Sequence, residues 1–145
     1  MKLTSSDGSC SITIPNDWVQ WDQRGLAGPD VLIAARSASS KWPNLEVTRI
    51  GKTEDQSIED TKQFAHRWAK KDGLTITSER FIKVGGCEAY EFTYWRREIL
   101  PLWRRQFYCK VCFAHDDVEY LIQLCCRHPE SEKAVFDECV RSFSF

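Results

Sequence analysis

The sequence predicts an α+β fold, a single antiparallel β-sheet of about six to seven strands with helices packed on it. Three observations carry that expectation. Much of the chain alternates apolar and polar residues with a period of two, the mark of strands with one buried face. From Ser57 to Gly73 the period becomes helical. The stretch around Trp95-Arg96-Arg97 and Trp103-Arg104-Arg105 repeats the same three residues on either side of Glu98-Ile99-Leu100-Pro101, as the two arms of a β-hairpin would.

In chain order, Ser11-Ile12-Thr13-Ile14 alternates and stops at Pro15-Asn16, giving a short strand and a turn that leads into Trp18. Residues 24–30 carry Gly25, Gly28 and Pro29 and form a loop; Val31-Leu32-Ile33-Ala34-Ala35 is then a compact apolar run suited to a buried central strand. After a break at residues 37–43, Leu45-Glu46-Val47-Thr48-Arg49-Ile50 alternates again. The helix that follows places Thr61, Phe64, Ala65, Trp68 and Ala69 on its inner side. Ser57 caps it, Glu59 and Asp60 complement its first turn, Lys70 and Lys71 its last, and Gly73 ends it.

Residues 74–84 form a strand and Gly85-Gly86 a tight hairpin turn. In the next strand Tyr90, Phe92 and Tyr94 make an aromatic row, and in the one after it Trp103, Phe107, Cys109, Val111 and Phe113 share a face. A loop at residues 98–101 sets Arg97 opposite Leu102, Arg96 opposite Trp103, Trp95 opposite Arg104 and Tyr94 opposite Arg105. That register also sets Phe92 opposite Phe107 and Tyr90 opposite Cys109, which unites the two apolar rows on one side of the sheet. His115-Asp116-Asp117 turns into a last strand over residues 118–124, and Pro129 opens a closing helix with Ala134, Val135 and Cys139 inward.

A chain of 145 residues, 42% hydrophobic and 28% charged, is expected to be one domain, residues 1–145. Its net charge of −1 argues against a protein whose affinity comes from neutralising phosphates, so nucleic acid is not the expected partner. No apolar run reaches the length of a signal-peptide core or a membrane span, so a chain starting at its natural Met1 is expected in the cytoplasm without membrane insertion. The seven cysteines are odd in number and not spaced as a disulfide scaffold, so reduced and mostly buried thiols are expected.

Three segments in this order carry a resemblance: Ile12-Thr13-Ile14-Pro15-Asn16-Asp17-Trp18; Gly85-Gly86 with Ala89-Tyr90-Glu91-Phe92; and Phe136 with Arg141-Ser142-Phe143-Ser144-Phe145. Together they span nearly the whole chain. It resembles the fold shared by the photosystem PsbP proteins and the Ran-binding Mog protein, and within it the small bacterial members. The resemblance implies a PsbP/Mog-like domain that binds or assembles with other proteins and has no catalytic machinery. The cytoplasmic Eag-type branch, chaperones for secretion-system effectors, is similar in length. Unlike plant PsbP proteins, this sequence shows no transit peptide. No binding residue carries over from the Ran-binding member.

Chemistry-bearing residues are sparse. Cys109-Lys110-Val111-Cys112, with Cys125-Cys126, His115 and His128 nearby, invites a metal or redox reading. Residues three apart on a strand point to opposite faces, however, so Cys109 and Cys112 are expected to be separate thiols, with no metal or cofactor. His66 is expected on a solvated helix face, and neither Cys112 nor His115 sits in a catalytic motif. No glycine-rich phosphate loop is present.

The remaining candidate is the second face of the hairpin, Thr93, Trp95 and Arg97 with Leu102, Arg104 and Gln106. Trp and Arg dominate protein interfaces, so Trp95, Arg97, Ile99, Leu100, Trp103 and Arg104 are the expected partner-binding residues. The sequence thus predicts a non-enzymatic adaptor or chaperone-like protein whose partner is a protein or peptide, a secreted effector segment included. Homodimerisation through the same patch is a related expectation. The alternative is a small-molecule or single-stranded nucleic-acid binder using a pocket between the sheet and Trp18, Trp21 and Trp42.

Overall fold

The computed structural model describes residues 1–21, 30–53, 57–97 and 104–145. Its strands are β1 (Lys2–Thr4), β2 (Ser11–Thr13), β3 (Trp18–Gln20), β4 (Val31–Ser37), β5 (Asn44–Lys52), β6 (Ile76–Val84), β7 (Cys87–Arg97), β8 (Arg105–His115) and β9 (Val118–Cys126). The helices are α1 (Ile58–Lys71) and α2 (Pro129–Arg141). β1 and β2 form a small ribbon, and the rest make a seven-stranded sheet in the order β3-β4-β5-β9-β8-β7-β6. Every neighbouring pair is antiparallel, as the expected α+β class requires.

The order explains why a helix sits where it does. β5 lies in the middle of the sheet and β6 at its edge, four strand spacings or about 19 Å away. α1 has 14 residues, about 21 Å of helix, and carries the chain across that span. The meander from β6 to β9 then returns to pair with β5. The Ser57 hydroxyl accepts from the Asp60 backbone and the Asp60 carboxylate accepts from the Ser57 backbone, a complete capping box at the start of α1.

Both faces of the sheet are used. On the first, Leu45, Val47, Ile122, Leu124, Cys109, Val111 and Phe113 pack with Ile12, Trp18, Phe136, Cys139, Val140 and Phe143 into the main core. On the second, Tyr90, Phe92 and Tyr94 pack with Ala65 and Trp68 of α1. α1 lies on β7 and β8, which leaves the part of this face made by β3, β4, β5 and β9 without a helix among the described residues.

Burial on both faces corrects the expected hairpin register. The structure pairs Arg97 with Arg105, Trp95 with Phe107, Phe92 with Lys110 and Tyr90 with Cys112, three residues from the expected alignment. An odd shift exchanges faces, so the β7 aromatic row lies opposite Tyr108 and Cys112 rather than Phe107 and Cys109. Uniting the two rows assumed a single apolar face, whereas β7 is buried on both. The expected pairing of Trp95 with Arg104 is therefore replaced, and the expected partners Leu102 and Trp103 lie outside the described residues.

Two helix faces are also corrected. Phe64 is 60% exposed, and α1 buries Ala65 and Ala69 with Ile58 and Trp68 packed beside them. In α2 the buried residues are Phe136, Cys139 and Val140, while Ala134 and Val135 are exposed. Ala65, Trp68 and Ala69 of α1 and Cys139 of α2 lie inward as expected. Among the described residues no helix is long and apolar enough to cross a membrane.

Candidate functional site

The open part of the second face holds a cavity of about 300 Å³. Trp21, which follows β3, and Trp42, which precedes β5, contribute two aromatic walls, and Tyr108 of β8 a third. Arg104 and Arg127 add cations, and Asn44, Glu46, Gln106, Gln123 and Cys125 project from β5, β8 and β9. These strand residues share the face by register, since Asn44 pairs with Cys125, Glu46 with Gln123 and Tyr108 with Cys125.

Local contacts hold the walls in place. The indole N–H of Trp42 donates to the side-chain oxygen of Gln106 at 3.1 Å, and the thiol of Cys125 donates to the same oxygen at 2.8 Å. The Arg127 guanidinium lies 4.0 Å above the Trp42 ring centre, and that of Arg36 lies 5.6 Å above Trp21. The backbone of Trp21 donates to Ala34 at 2.8 Å, which extends the β3–β4 pairing by one residue. Tyr108 stacks on Tyr94 with centroids 5.1 Å apart and links the cavity to the half covered by α1. There Lys110 sits 4.2 Å from the Trp68 ring centre, and burial pushes its pKa down.

The predicted binding residues divide between the two faces. Trp95 is half-buried on the main-core face, edge-on to Phe107 at 5.3 Å with the Arg105 guanidinium 4.9 Å above its ring. Arg97 is exposed on that same side, since it pairs with Arg105 two positions along from Trp95 and Phe107. Arg104 is exposed and lines the cavity on the opposite face. Ile99, Leu100 and Trp103 lie outside the described residues. Thr93 and Gln106, expected on an open hairpin face, are both buried.

Of the three tryptophans in the alternative pocket, Trp21 and Trp42 line the cavity, whereas Trp18 is in the main core on the other side. The polar strand residues that frame them were missed. Asn44, Glu46 and Gln123 are polar positions of β5 and β9 in the sequence, and it is the β5–β9 pairing that brings them onto one face.

The cysteines behave as strand alternation requires. Cys109 lies in the main core and Cys112 against the aromatic layer, so they occupy opposite faces. Burial pushes the Cys112 thiol up to about 12 and the Cys139 thiol to about 11. The Cys87 sulfur lies 3.7 Å from His115 Nδ1, but burial raises its pKa too, so it is a thiol rather than a thiolate nucleophile. His66 Nε2 lies 2.6 Å from a Glu79 oxygen to which the Tyr90 hydroxyl also donates, clasping α1 to the sheet edge. Among the described residues no group of three or more His, Cys, Asp or Glu side chains could hold a metal.

No protein-family model matches the chain, and no curated protein does. Solved structures are similar throughout its length. Cyanobacterial PsbP (CyanoP) from Synechocystis sp. PCC 6803 is 16% identical with a TM-score of 0.70, over 99% of this chain and 90% of that one. The Ran-binding protein Mog1p of Saccharomyces cerevisiae is 9% identical with a TM-score of 0.69, over 99% and 93%. LpqN of Mycobacterium tuberculosis, involved in cell envelope biogenesis, is 13% identical with a TM-score of 0.64, over 99% and 88%. At these identities the likeness is one of fold: the chain has the PsbP/Mog-like α+β fold that its sequence predicted.

Proposed function

We propose that the protein is a non-enzymatic binding protein that holds a protein or peptide segment in the cavity on the open part of its sheet. The observation that carries this reading is the lining itself: Trp21, Trp42, Arg104 and Arg127, each next to the end of a strand, beside Tyr108 of β8. Aromatic and arginine side chains held in place are what binding hot spots consist of. Among the described residues the same lining contains no histidine and no pair of carboxylates, groups that acid–base chemistry would use. The fold it shares with Mog1p, a Ran-binding protein, is in keeping with such a role.

Within this reading Arg104 contacts the partner in the cavity, and Arg97 with the hairpin residues Ile99, Leu100 and Trp103 adds contact beyond it. Trp95 is assigned to the base of the hairpin, where its stacking supports them. A chaperone of Eag type, working in the cytoplasm on a secreted effector segment, is the specific form that the sequence resemblance suggests.

The test is affinity capture of the tagged protein from its own cells, with Trp21→Ala/Arg104→Ala as the parallel variant. A partner lost in the variant at an unchanged thermal midpoint is the expected result. A partner retained at full yield would overturn the placement in the cavity. Homodimerisation is checked by light scattering on the same samples.

A second reading is favoured by the cavity volume. About 300 Å³ lies at the lower end of the range for small-molecule sites, so a compact ligand is the competing occupant. Saturable quenching of Trp fluorescence by a metabolite pool, absent in the Trp21→Ala variant, would identify it.

A further inference from the structure

Four guanidinium groups surround the cavity. Arg104 and Arg127 line it, Arg36 lies over Trp21, and Arg96 flanks Gln106 in the β7–β8 register. Among the described residues none of these four is ion-paired, whereas carboxylates elsewhere are engaged: Asp7 by Arg49, Glu79 by His66 and Lys62, Glu91 by Arg80 and Lys133. The Nε–H groups of Arg36 and Arg127 are buried and meet no acceptor among the described residues. Glu46 is the one acid among the lining residues. In a protein of net charge −1, positive charge is therefore concentrated on this part of the sheet.

The stacking of Arg127 on Trp42 bears on what such charge can hold. A guanidinium placed over an indole is fixed in position, and its N–H edge remains free to grip a carboxylate with two parallel hydrogen bonds. Beside it, Trp21, Trp42 and Tyr108 offer apolar surface, and Asn44 and Gln123 offer side-chain amides able to bond a backbone.

We infer that the cavity takes an acidic peptide segment, with a carboxylate side chain on Arg104 and Arg127 and an adjacent aromatic or large apolar side chain against Trp21, Trp42 and Tyr108. This rests on the binding reading above and adds the partner's chemistry. A peptide fits better than a nucleic acid because of the size of the cavity. A volume of about 300 Å³ accommodates one or two side chains, not a run of stacked bases.

The test uses the full chain and three capped peptides of equal length: Gly-Glu-Phe-Glu-Gly-Glu-Phe-Glu-Gly and its counterparts with Gln or Lys at every Glu. Titrations are followed by Trp fluorescence and calorimetry. The Glu peptide is expected to bind saturably, the Gln peptide about tenfold more weakly and the Lys peptide more weakly still. Arg104→Gln and Arg127→Gln are each expected to reduce affinity for the Glu peptide several-fold and to reduce that for the Gln peptide less, with urea midpoints confirming that both variants fold.

Equal affinity for the Glu and Gln peptides would overturn the acidic assignment and leave the binding reading standing. Tighter binding of a short oligothymidylate than of the Glu peptide would overturn it in favour of nucleic acid. Failure of all three peptides to bind would also overturn it. The capture experiment with Trp21→Ala/Arg104→Ala then shows separately whether the cavity holds any protein.

Discussion

Trp42 donates its indole N–H to the side-chain oxygen of Gln106 at 3.1 Å, joining the segment before β5 to a strand two places away across the sheet. Gln106 is buried, so its oxygen and the two donors aimed at it, Trp42 and Cys125, satisfy one another without water. Gln106→Ala strands both donors and is expected to cost about 1–3 kcal/mol. In a double-mutant cycle with Trp42→Phe, urea unfolding should give a coupling of about 0.5–1.5 kcal/mol. Strict additivity would mean that the bond does not hold the cavity wall.

Gly85 and Gly86 both have positive φ, +56° and +80°, so alanine at either position costs about 1–2 kcal/mol in backbone strain. They differ in surroundings. A Cβ on Gly85 would lie 3.3 Å from the rings of Phe143 and Phe145, whereas one on Gly86 meets nothing within 4 Å. Gly85→Ala should therefore lower the urea midpoint more than Gly86→Ala, and the excess should shrink when Phe145 is also changed to Ala, with the Phe143 contact remaining. Equal midpoints for the two single variants would place the C-terminal rings away from the turn.

The sequence made the longer strands, the Gly85-Gly86 turn and the cap of α1 legible because each depends on near neighbours: alternation, positive φ, and Ser57 with Asp60 three residues on; the three-residue strands β1 and β3 are too short to show alternation. The β7–β8 register was not legible. Apolar residues occur on both faces of β7, and pairing rules choose among registers only where one face is polar. The same ambiguity hid the cavity. Trp21 and Trp42 stand out in the sequence, but their meeting with Arg104, Tyr108 and Gln123 depends on β5 pairing with β9 rather than β6, a long-range choice that no local pattern encodes. The expected register sets Trp95 opposite Arg104, and the observed register puts them on opposite faces.

Glu91 of β7 is 4% exposed and is the acid on which one cross-layer network converges. Arg80 Nε donates to it at 2.8 Å from the edge strand β6, and Lys133 Nζ lies 3.1 Å away on α2. Asp137 then takes Lys133 at 2.5 Å and Arg80 at 3.3 Å. Neutralising the buried member takes away the charge that Arg80 and Lys133 share and leaves them Asp137 alone, so Glu91→Gln is expected to cost about 2–4 kcal/mol in thermal or urea unfolding. The exposed pair of Asp7 with Arg49 is the contrast: Arg49→Gln should cost under about 1 kcal/mol. Similar losses from both would show that the Glu91 network is not the seam between β6, β7 and α2.

Glu79 supplies a pH dependence whose direction follows from its partners. The Tyr90 hydroxyl donates to it, His66 Nε2 lies 2.6 Å from the same oxygen, and Lys62 Nζ lies 3.9 Å from the other. These contacts, Tyr90 first and His66 next, hold the carboxyl below its ordinary value. A carboxyl whose pKa is lower in the folded state than in the unfolded one contributes its full stabilisation above the unfolded value, about 4.3, and loses it as pH falls through the folded value. Glu79→Gln carries no such charge at any pH. The wild type should therefore be more stable than Glu79→Gln at pH 5, and that margin should close progressively below about pH 4.3. Urea midpoints of the two proteins from pH 3 to pH 7 measure it directly. A margin that stays open down to pH 3 would mean that the clasp between α1 and β6 owes nothing to the ionised carboxylate, and that the packing of Phe81 and Trp68 around Tyr90 and Phe92 holds the helix alone.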